Sequence, residues 1–207
     1  MIFNFKLHIV HYAFYCVVWQ VAGRVRDNRV NHGEASRLFL ATVPDAETAA
    51  RTHRLAGVLK RAHKFMGRLI PADRLHISLF FLGGLHEEGV RSVYETAAEL
   101  PAAPFDISFD RTASFHGKRA NYPLVLFGDD GLNQLKAFRQ TFAEAMMRKG
   151  LRRPANTSFT PHVTLLYGER RAEGYPIHPI GWTVRELVLI HSMRGHVRLA
   201  QWPLRGR

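Results

Sequence analysis

One cysteine, Cys16, is all that 207 residues contain. It cannot close an internal disulfide, so nothing marks an oxidising compartment and a reducing cytoplasm is the expected location. Cys16 also lies outside the part of the chain that reads as a folded domain, which weakens it as a nucleophile. Long hydrophobic runs are missing as well. The most apolar stretch, Ile9 to Ala22, is interrupted by His11 and Gln20. It falls short of the roughly 20 apolar residues that cross a bilayer. Lys6 precedes it as in a signal peptide, but Val21-Ala22-Gly23 is a poor cleavage site. No membrane partner is expected. The chain has no His-Glu-x-x-His and no cysteine-rich spacing, so its twelve histidines do not read as a metal site. Neither a metal nor another cofactor is called for.

Acidic residues are scarce, 17 against 29 Lys and Arg, for a formal net charge of +12. Such an excess favours polyanionic partners: RNA, DNA, nucleotides or an anionic membrane surface. It nominates a partner and no reaction. Apolar residues at 46% and charged residues at 22% describe a globular protein, one domain or two small lobes, and exclude a disordered chain. Residues 1–36 read as an N-terminal extension that is not part of the fold, with a polar linker from Gly23 to Ala35. They hold four basic and two acidic residues, so the basic character belongs to residues 37–207.

Within 37–207 the pattern is α+β. Arg37 to Val43 reads as a strand, closed by Pro44-Asp45. Ala46 to Arg68 reads as a helix, with Leu55, Val58, Leu59, Ala62 and Met66 at helical spacing. Leu75 to Leu82 is a strand ending at the Gly83-Gly84 turn. Glu87 to Leu100 is a helix, and Phe105 to Phe115 alternates as a half-buried strand does. The plan then repeats. Tyr122 to Phe127 is a strand, Leu132 to Lys149 an amphipathic helix stopped by Gly150, and Phe159 to Tyr167 a strand. Trp182 to His191 and His196 to Trp202 read as the last two strands.

Both halves carry His-x-Ser/Thr followed by two apolar residues: His76-Ile77-Ser78-Leu79-Phe80 and His162-Val163-Thr164-Leu165-Leu166. One copy is worth little, because a buried, hydrogen-bonded core histidine explains it. Two copies at corresponding places in two similar halves suggest duplication, with two lobes around a cleft. Side chains alternate across a strand, so each motif sets an imidazole beside a hydroxyl on one face. Histidine titrates near neutral pH. One imidazole can take a proton from an attacking water while the other, protonated, gives one to a leaving oxygen. Ser78 and Thr164 can donate to the non-bridging oxygens of a phosphodiester.

At these residues the chain resembles the two-histidine phosphoesterase superfamily, and within it the bacterial 2′-5′ RNA ligase family, also called RNA 2′,3′-cyclic phosphodiesterases. The likeness covers about residues 37–207 and rests on RLFLATVP, RLHISLFFLGG and FTPHVTLLYG. It implies a bilobal, pseudo-twofold α+β fold with antiparallel sheets and helices around a central cleft. It further implies opening of 2′,3′-cyclic phosphates at RNA ends to 2′-phosphates, with 2′-5′ joining as a related activity. His76 and His162 carry over as the catalytic pair, and Ser78 and Thr164 as phosphate ligands. Ser78 replaces the commoner threonine and keeps the hydroxyl. Many relatives carry an arginine soon after the second motif; here Tyr167-Gly168 stands there, with Arg170 and Arg171 later.

Other residues carry less. His191 and His196 fall in a turn between strands, and His53 and His63 read as solvated helix positions. Phe115, Tyr122 and Tyr167 could stack on a base, though packing explains each more simply. Arg68, Arg74, Lys118 and Arg119 are candidate phosphate contacts on a basic surface. The expected partner is RNA or a nucleotide bearing a cyclic phosphate, met by a monomer. The same chemistry on a small cyclic nucleotide, an ADP-ribose cyclic phosphate or a 2′-5′ oligonucleotide is the nearest alternative. A non-catalytic module that binds RNA ends is the other.

Overall fold

In the computed structural model, residues 38–82, 87–118, 120–151, 159–192 and 195–206 are described. The expected extension 1–36, the Gly83-Gly84 turn and Arg119 lie outside them. The chain order is β1 (Leu38–Thr42), α1 (Ala46–Ala62), a 3₁₀ turn (Ala72–Arg74), β2 (Ile77–Phe81), α2 (Glu87–Glu99), β3 (Phe105–Ser114) and β4 (Tyr122–Phe127). A second 3₁₀ turn (Asp130–Leu132), α3 (Asn133–Arg148), β5 (Val163–Gly168), β6 (Tyr175–Val184), β7 (Glu186–His191) and β8 (Val197–Pro203) follow.

The strands form two antiparallel four-stranded sheets, β2-β1-β7-β8 and β5-β4-β3-β6. This is the bilobal α+β architecture expected. The lobes are not simple sequence halves, however. The chain's last two strands return to the sheet begun by its first. One buried cluster runs through both sheets and the helices, with Phe80, Phe109, Phe142 and Trp182 among its large side chains. A smaller one, Phe39, Ala41, Val188 and Ile190, covers the other face of the first sheet.

Three local expectations need correction. Trp182 to His191 is not one strand: it breaks at Arg185, with Val184 ending β6 in one sheet and Glu186 opening β7 in the other. Most of β6, which begins at Tyr175, went unread because Pro176, Pro179 and Gly181 argue against a strand. An edge strand tolerates them, and β6 is at the edge. Second, α1 stops at Ala62, and Lys64 adopts a left-handed φ of 52°. Its buried face is Thr48, Ala49, Thr52, Ala56 and Leu59, while Val58 is 51% and Met66 82% exposed. Small residues let the helix lie close to its neighbours β5 and β6. Third, β5 begins at Val163, because Pro161 has no N–H to pair.

The start of α1 is fixed locally. Asp45 caps it, accepting from Thr48 N–H at 2.8 Å, and that bond holds the carboxyl below its ordinary range. Gly150, at φ +85°, ends the last turn after α3 as the sequence implies.

The two lobes share an irregularity. Where β2 pairs with β1, Leu40 faces Phe80 and Ala41 faces Ser78, so Leu79 is an extra residue. Where β5 pairs with β4, Leu124 faces Leu166 and Val125 faces Thr164, so Leu165 is the extra residue. A bulge one residue after each hydroxyl explains why two consecutive residues, Leu79-Phe80 and Leu165-Leu166, are buried together.

Candidate active site

β2 and β5 are edge strands, one per sheet, and each is preceded directly by a motif histidine. The alternation holds from those histidines up to the bulges. Ile77, Leu79, Val163 and Leu165 are buried, whereas His76, Ser78, His162 and Thr164 are partly or fully exposed on the opposite side. Ser78 and Thr164 are thus set on the same faces as the histidines before them.

The two imidazoles are held identically. His76 Nδ1 lies 2.8 Å from the carbonyl oxygen of Arg74, and His162 Nδ1 lies 2.8 Å from that of Thr160. A carbonyl only accepts, so Nδ1 carries the proton in both, which leaves Nε2 outside that bond and able to give or take a proton. A phenylalanine ring braces each, Phe39 at 5.0 Å from His76 and Phe115 at 5.3 Å from His162. Burial lowers the pKa of His76 most; the Arg74 carbonyl partly opposes it, and charge on His196 and His162 lowers it further.

Each strand edge is capped from the other side of the molecule. Arg139, on α3, donates from Nε to the carbonyl of Leu79 at 3.0 Å. Its guanidinium lies between Phe80 and Phe159, at 4.7 and 4.4 Å from their ring centres. The carbonyl of Leu165 accepts from Ile70 N–H at 2.8 Å, in the segment between α1 and β2. That segment crosses β5 so closely that a Cβ on Gly67 would lie 1.8 Å from the Tyr167 carbonyl.

Several residues weighed in the sequence find other places. His53 and His63 are not solvated: His53 Nδ1 meets the Ile70 carbonyl at 3.0 Å, and His63 Nε2 meets the Tyr175 hydroxyl at 2.9 Å. Arg170 is taken up by the His63 carbonyl and the Phe65 ring. Arg68 and Lys118 are exposed, and Lys118 bridges to Asn121 in a tight turn. Among the described residues no three or more His, Cys, Asp or Glu are grouped to hold a metal ion. Nor is any described helix long and apolar enough to cross a membrane.

Four residues that the sequence reading passed over or set aside lie close to the motifs. Phe81 is 72% exposed and Tyr167 is 46% exposed; each stands five residues after its histidine, just past the bulge. Their equivalence was readable once the motifs were aligned. Arg139 had no such mark, being one arginine on an amphipathic helix. His196 packs edge-on against His76, ring centres 5.0 Å apart. Only the fold brings the β7–β8 turn there.

Residues 44–196 match the 2′-5′ RNA ligase superfamily. The chain belongs to that superfamily. Membership places its activity among the phosphoesterases. An RNA 2′,3′-cyclic phosphodiesterase of Archaeoglobus fulgidus is 28% identical over 130 residues, 62% of this chain and 70% of that protein. E. coli LigT in its apo form is 27% identical with a TM-score of 0.60, over 83% of this chain and 99% of LigT. LigT complexed with 3′-AMP is 25% identical with a TM-score of 0.60, over 82% and 98%. A Thermus thermophilus structure, TT0787, has a TM-score of 0.64 at 20% identity over 83% and 99%, a likeness of fold alone.

Proposed function

We propose that this member of the 2′-5′ RNA ligase superfamily hydrolyses 2′,3′-cyclic phosphates at RNA ends to 2′-phosphates. His76 and His162 are its acid–base pair, and Ser78 and Thr164 grip the phosphate. The observation that carries the proposal is the matched restraint of the two imidazoles, each bonded through Nδ1 to a carbonyl two residues upstream.

The step requires little else. A neutral imidazole takes a proton from water through Nε2 as the water oxygen attacks phosphorus. The P–O3′ bond breaks, and the second imidazole, as imidazolium, delivers its Nε2 proton to O3′. A 2′-phosphate and a free 3′-hydroxyl result. The Ser78 and Thr164 hydroxyls donate to the non-bridging oxygens, where charge builds in the transition state. Proton transfer at both ends makes a metal unnecessary to this scheme. If a 5′-hydroxyl replaces water, the same displacement joins two strands through a 2′-5′ linkage.

Three features favour RNA over a small cyclic phosphate. The name of the archaeal relative is one. The net charge of +12 is another, since counterion release favours long polyanions. Phe81 and Tyr167 are the third, as exposed rings that a neighbouring base can stack on. The test compares a short RNA ending in a 2′,3′-cyclic phosphate with a nucleoside 2′,3′-cyclic monophosphate and an ADP-ribose cyclic phosphate. A higher kcat/KM on RNA, with a 2′-phosphate product, supports the proposal. Preference for either small molecule moves the substrate class and keeps the site. Salt-sensitive binding of RNA without product makes the chain a binding module.

A further inference from the structure

The outer face of α1 carries a positive charge that no described carboxylate answers. Thr48, Ala49, Thr52, Ala56 and Leu59 form the buried side of the helix. Arg51, Arg54, Val58 and Arg61 recur at helical spacing on the other side, and all four are exposed. Arg61 folds back along the helix, so that a Cβ on Gly57 would lie 3.6 Å from its Nη1. Its charge is thereby carried one turn back, toward Arg54. Carboxylates among the described residues pair with Arg111, Lys149 and Arg198, and none pairs with Arg51, Arg54 or Arg61. The one carboxylate within α1, Glu47, stands in its first turn. Arg51 and Arg54, three residues apart, repel each other, a cost that an anion lying along the face removes.

This face is tied to a motif strand. After α1 the chain turns at Lys64 and runs antiparallel along the open edge of β5. Gly67 lies against Tyr167, Leu69 bridges Leu166, and Ile70 N–H donates to the Leu165 carbonyl at 2.8 Å. The carbonyl of Ile70 in turn lies 3.0 Å from Nδ1 of His53, on α1. One residue thus joins the helix to β5, a single position past Thr164. Lys64 and Arg68, both exposed, stand along the route between them. The arginine face is about 15 Å long at a rise of 1.5 Å per residue. From Thr164 to Gly168, β5 adds about 13 Å at 3.3 Å per residue.

We propose that Arg51, Arg54 and Arg61, continued by Lys64 and Arg68, are a docking track for the single-stranded RNA that lies 5′ of the reacting end. This rests on the RNA-end reading of the site given above. A strand whose terminal phosphate is held at Thr164 leaves the site along β5, past Tyr167 and Arg68, and lays its earlier phosphates on α1. Guanidinium groups suit that task, because their planar fork matches phosphate oxygens. Contacts of this kind position a strand and read no sequence. A membrane surface is the other polyanion of the right sign. A helix that lies on one sets a broad apolar stripe beside its cations. Here that stripe is Val58 alone, so the face fits RNA. A small cyclic phosphate does not reach it.

The experiment compares the full chain with two variants of equal net charge. One combines Arg51→Gln, Arg54→Gln and Arg61→Gln; the control combines Arg91→Gln, Arg148→Gln and Arg205→Gln, on α2, α3 and the C-terminal segment. Substrates are a trinucleotide and an RNA of about twelve nucleotides, which spans the track at about 3.4 Å per phosphate. Both end in a 2′,3′-cyclic phosphate. Kd is measured over a salt series on the longer RNA ending in a 2′-phosphate. The α1 variant should raise KM and Kd for the longer RNA by about tenfold, the scale of three exposed charge contacts. Its kcat, and its KM for the trinucleotide, should stay at the wild-type values. The slope of log Kd against log salt should fall by about two, at about 0.7 per phosphate contact on a single strand. Lysine at the same three positions should restore most of that slope. Equal losses in the α1 variant and the control overturn the proposal, and so do equal losses on the two RNAs. Loss of binding to phosphatidylserine vesicles with RNA binding intact overturns it in favour of a membrane. An absence of turnover by the wild type overturns the hydrolase reading instead, and the Kd series still decides the track.

Discussion

The carbonyls of Leu79 and Leu165 hold the same place in the two motifs, and each is capped across the molecule. The first accepts from Arg139 Nε at 3.0 Å and the second from Ile70 N–H at 2.8 Å. Edge strands expose such groups, and a bulge turns them further from the ladder. Here the caps also join the lobes, since Arg139 comes from between β4 and β5, and Ile70 from between α1 and β2. Each half steadies the strand that follows the other half's histidine.

Removing one cap therefore acts twice. Arg139→Ala leaves the Leu79 carbonyl unpaired and opens the space between Phe80 and Phe159. The expected loss of unfolding free energy is about 1–3 kcal/mol, the range for a charge-assisted bond. The catalytic rate falls with it, because β2 carries Ser78 and follows His76. Urea unfolding and kcat measured on the same preparation check both. Arg139→Lys keeps the charge without the Nε donor and recovers only part of either.

Gly67 is a sharper case. A methyl there meets the Tyr167 carbonyl at 1.8 Å, and backbone cannot yield as a side-chain tip does. Gly67→Ala is expected to cost about 1–3 kcal/mol through overpacking. It also pushes β5 and Thr164, so KM rises more than in a variant of equal stability elsewhere. Thermal unfolding and steady-state kinetics together separate the two effects.

The sequence made the motifs, the two-lobe plan and most elements legible, because their signals are local. His76-x-Ser78 and His162-x-Thr164 stand out when the halves are aligned, and Asp45 and Gly150 mark helix ends by their own chemistry. What stayed hidden depends on neighbours far along the chain. The prolines of β6 count against a strand until it is known to lie at an edge. The apolar count of α1 favours Val58 and Met66, yet the helix buries its alanines and threonines because small residues allow close approach. His196 reaches His76 only because the last two strands return to the first sheet.

Acid should weaken the fold through the half-buried imidazole of His76. The His76 pKa is lowered in the folded state, chiefly by burial, so the unfolded chain binds the proton more readily. The stability it contributes is present above the unfolded value near 6.5 and is lost as pH falls from there through the lowered folded value. His196 adds in the same direction, its own pKa being lowered by burial. Urea midpoints are expected to fall between pH 7.5 and pH 5, and to fall less in His76→Asn. Equal falls in both proteins would assign the loss to other groups.

The hydroxyls should be graded below the imidazoles. With both hydroxyls donating to the phosphate as proposed, Ser78→Ala and Thr164→Ala should each lose at most about 10²–10³ in kcat. Ser78→Thr and Thr164→Ser keep a hydroxyl and should keep most activity. Single-turnover rates on a cyclic-phosphate RNA measure this without product release.

The central claim is that two histidines perform the chemistry, and one comparison tests it most directly. The full chain, His76→Ala and His162→Ala are incubated, with a chelator present, with a short RNA ending in a 2′,3′-cyclic phosphate, and single-turnover rates are measured. Each variant should fall by about 10²–10⁴-fold while still binding the RNA, and the wild type should yield a 2′-phosphate. Full activity in either variant, or turnover that the chelator abolishes, would contradict the account.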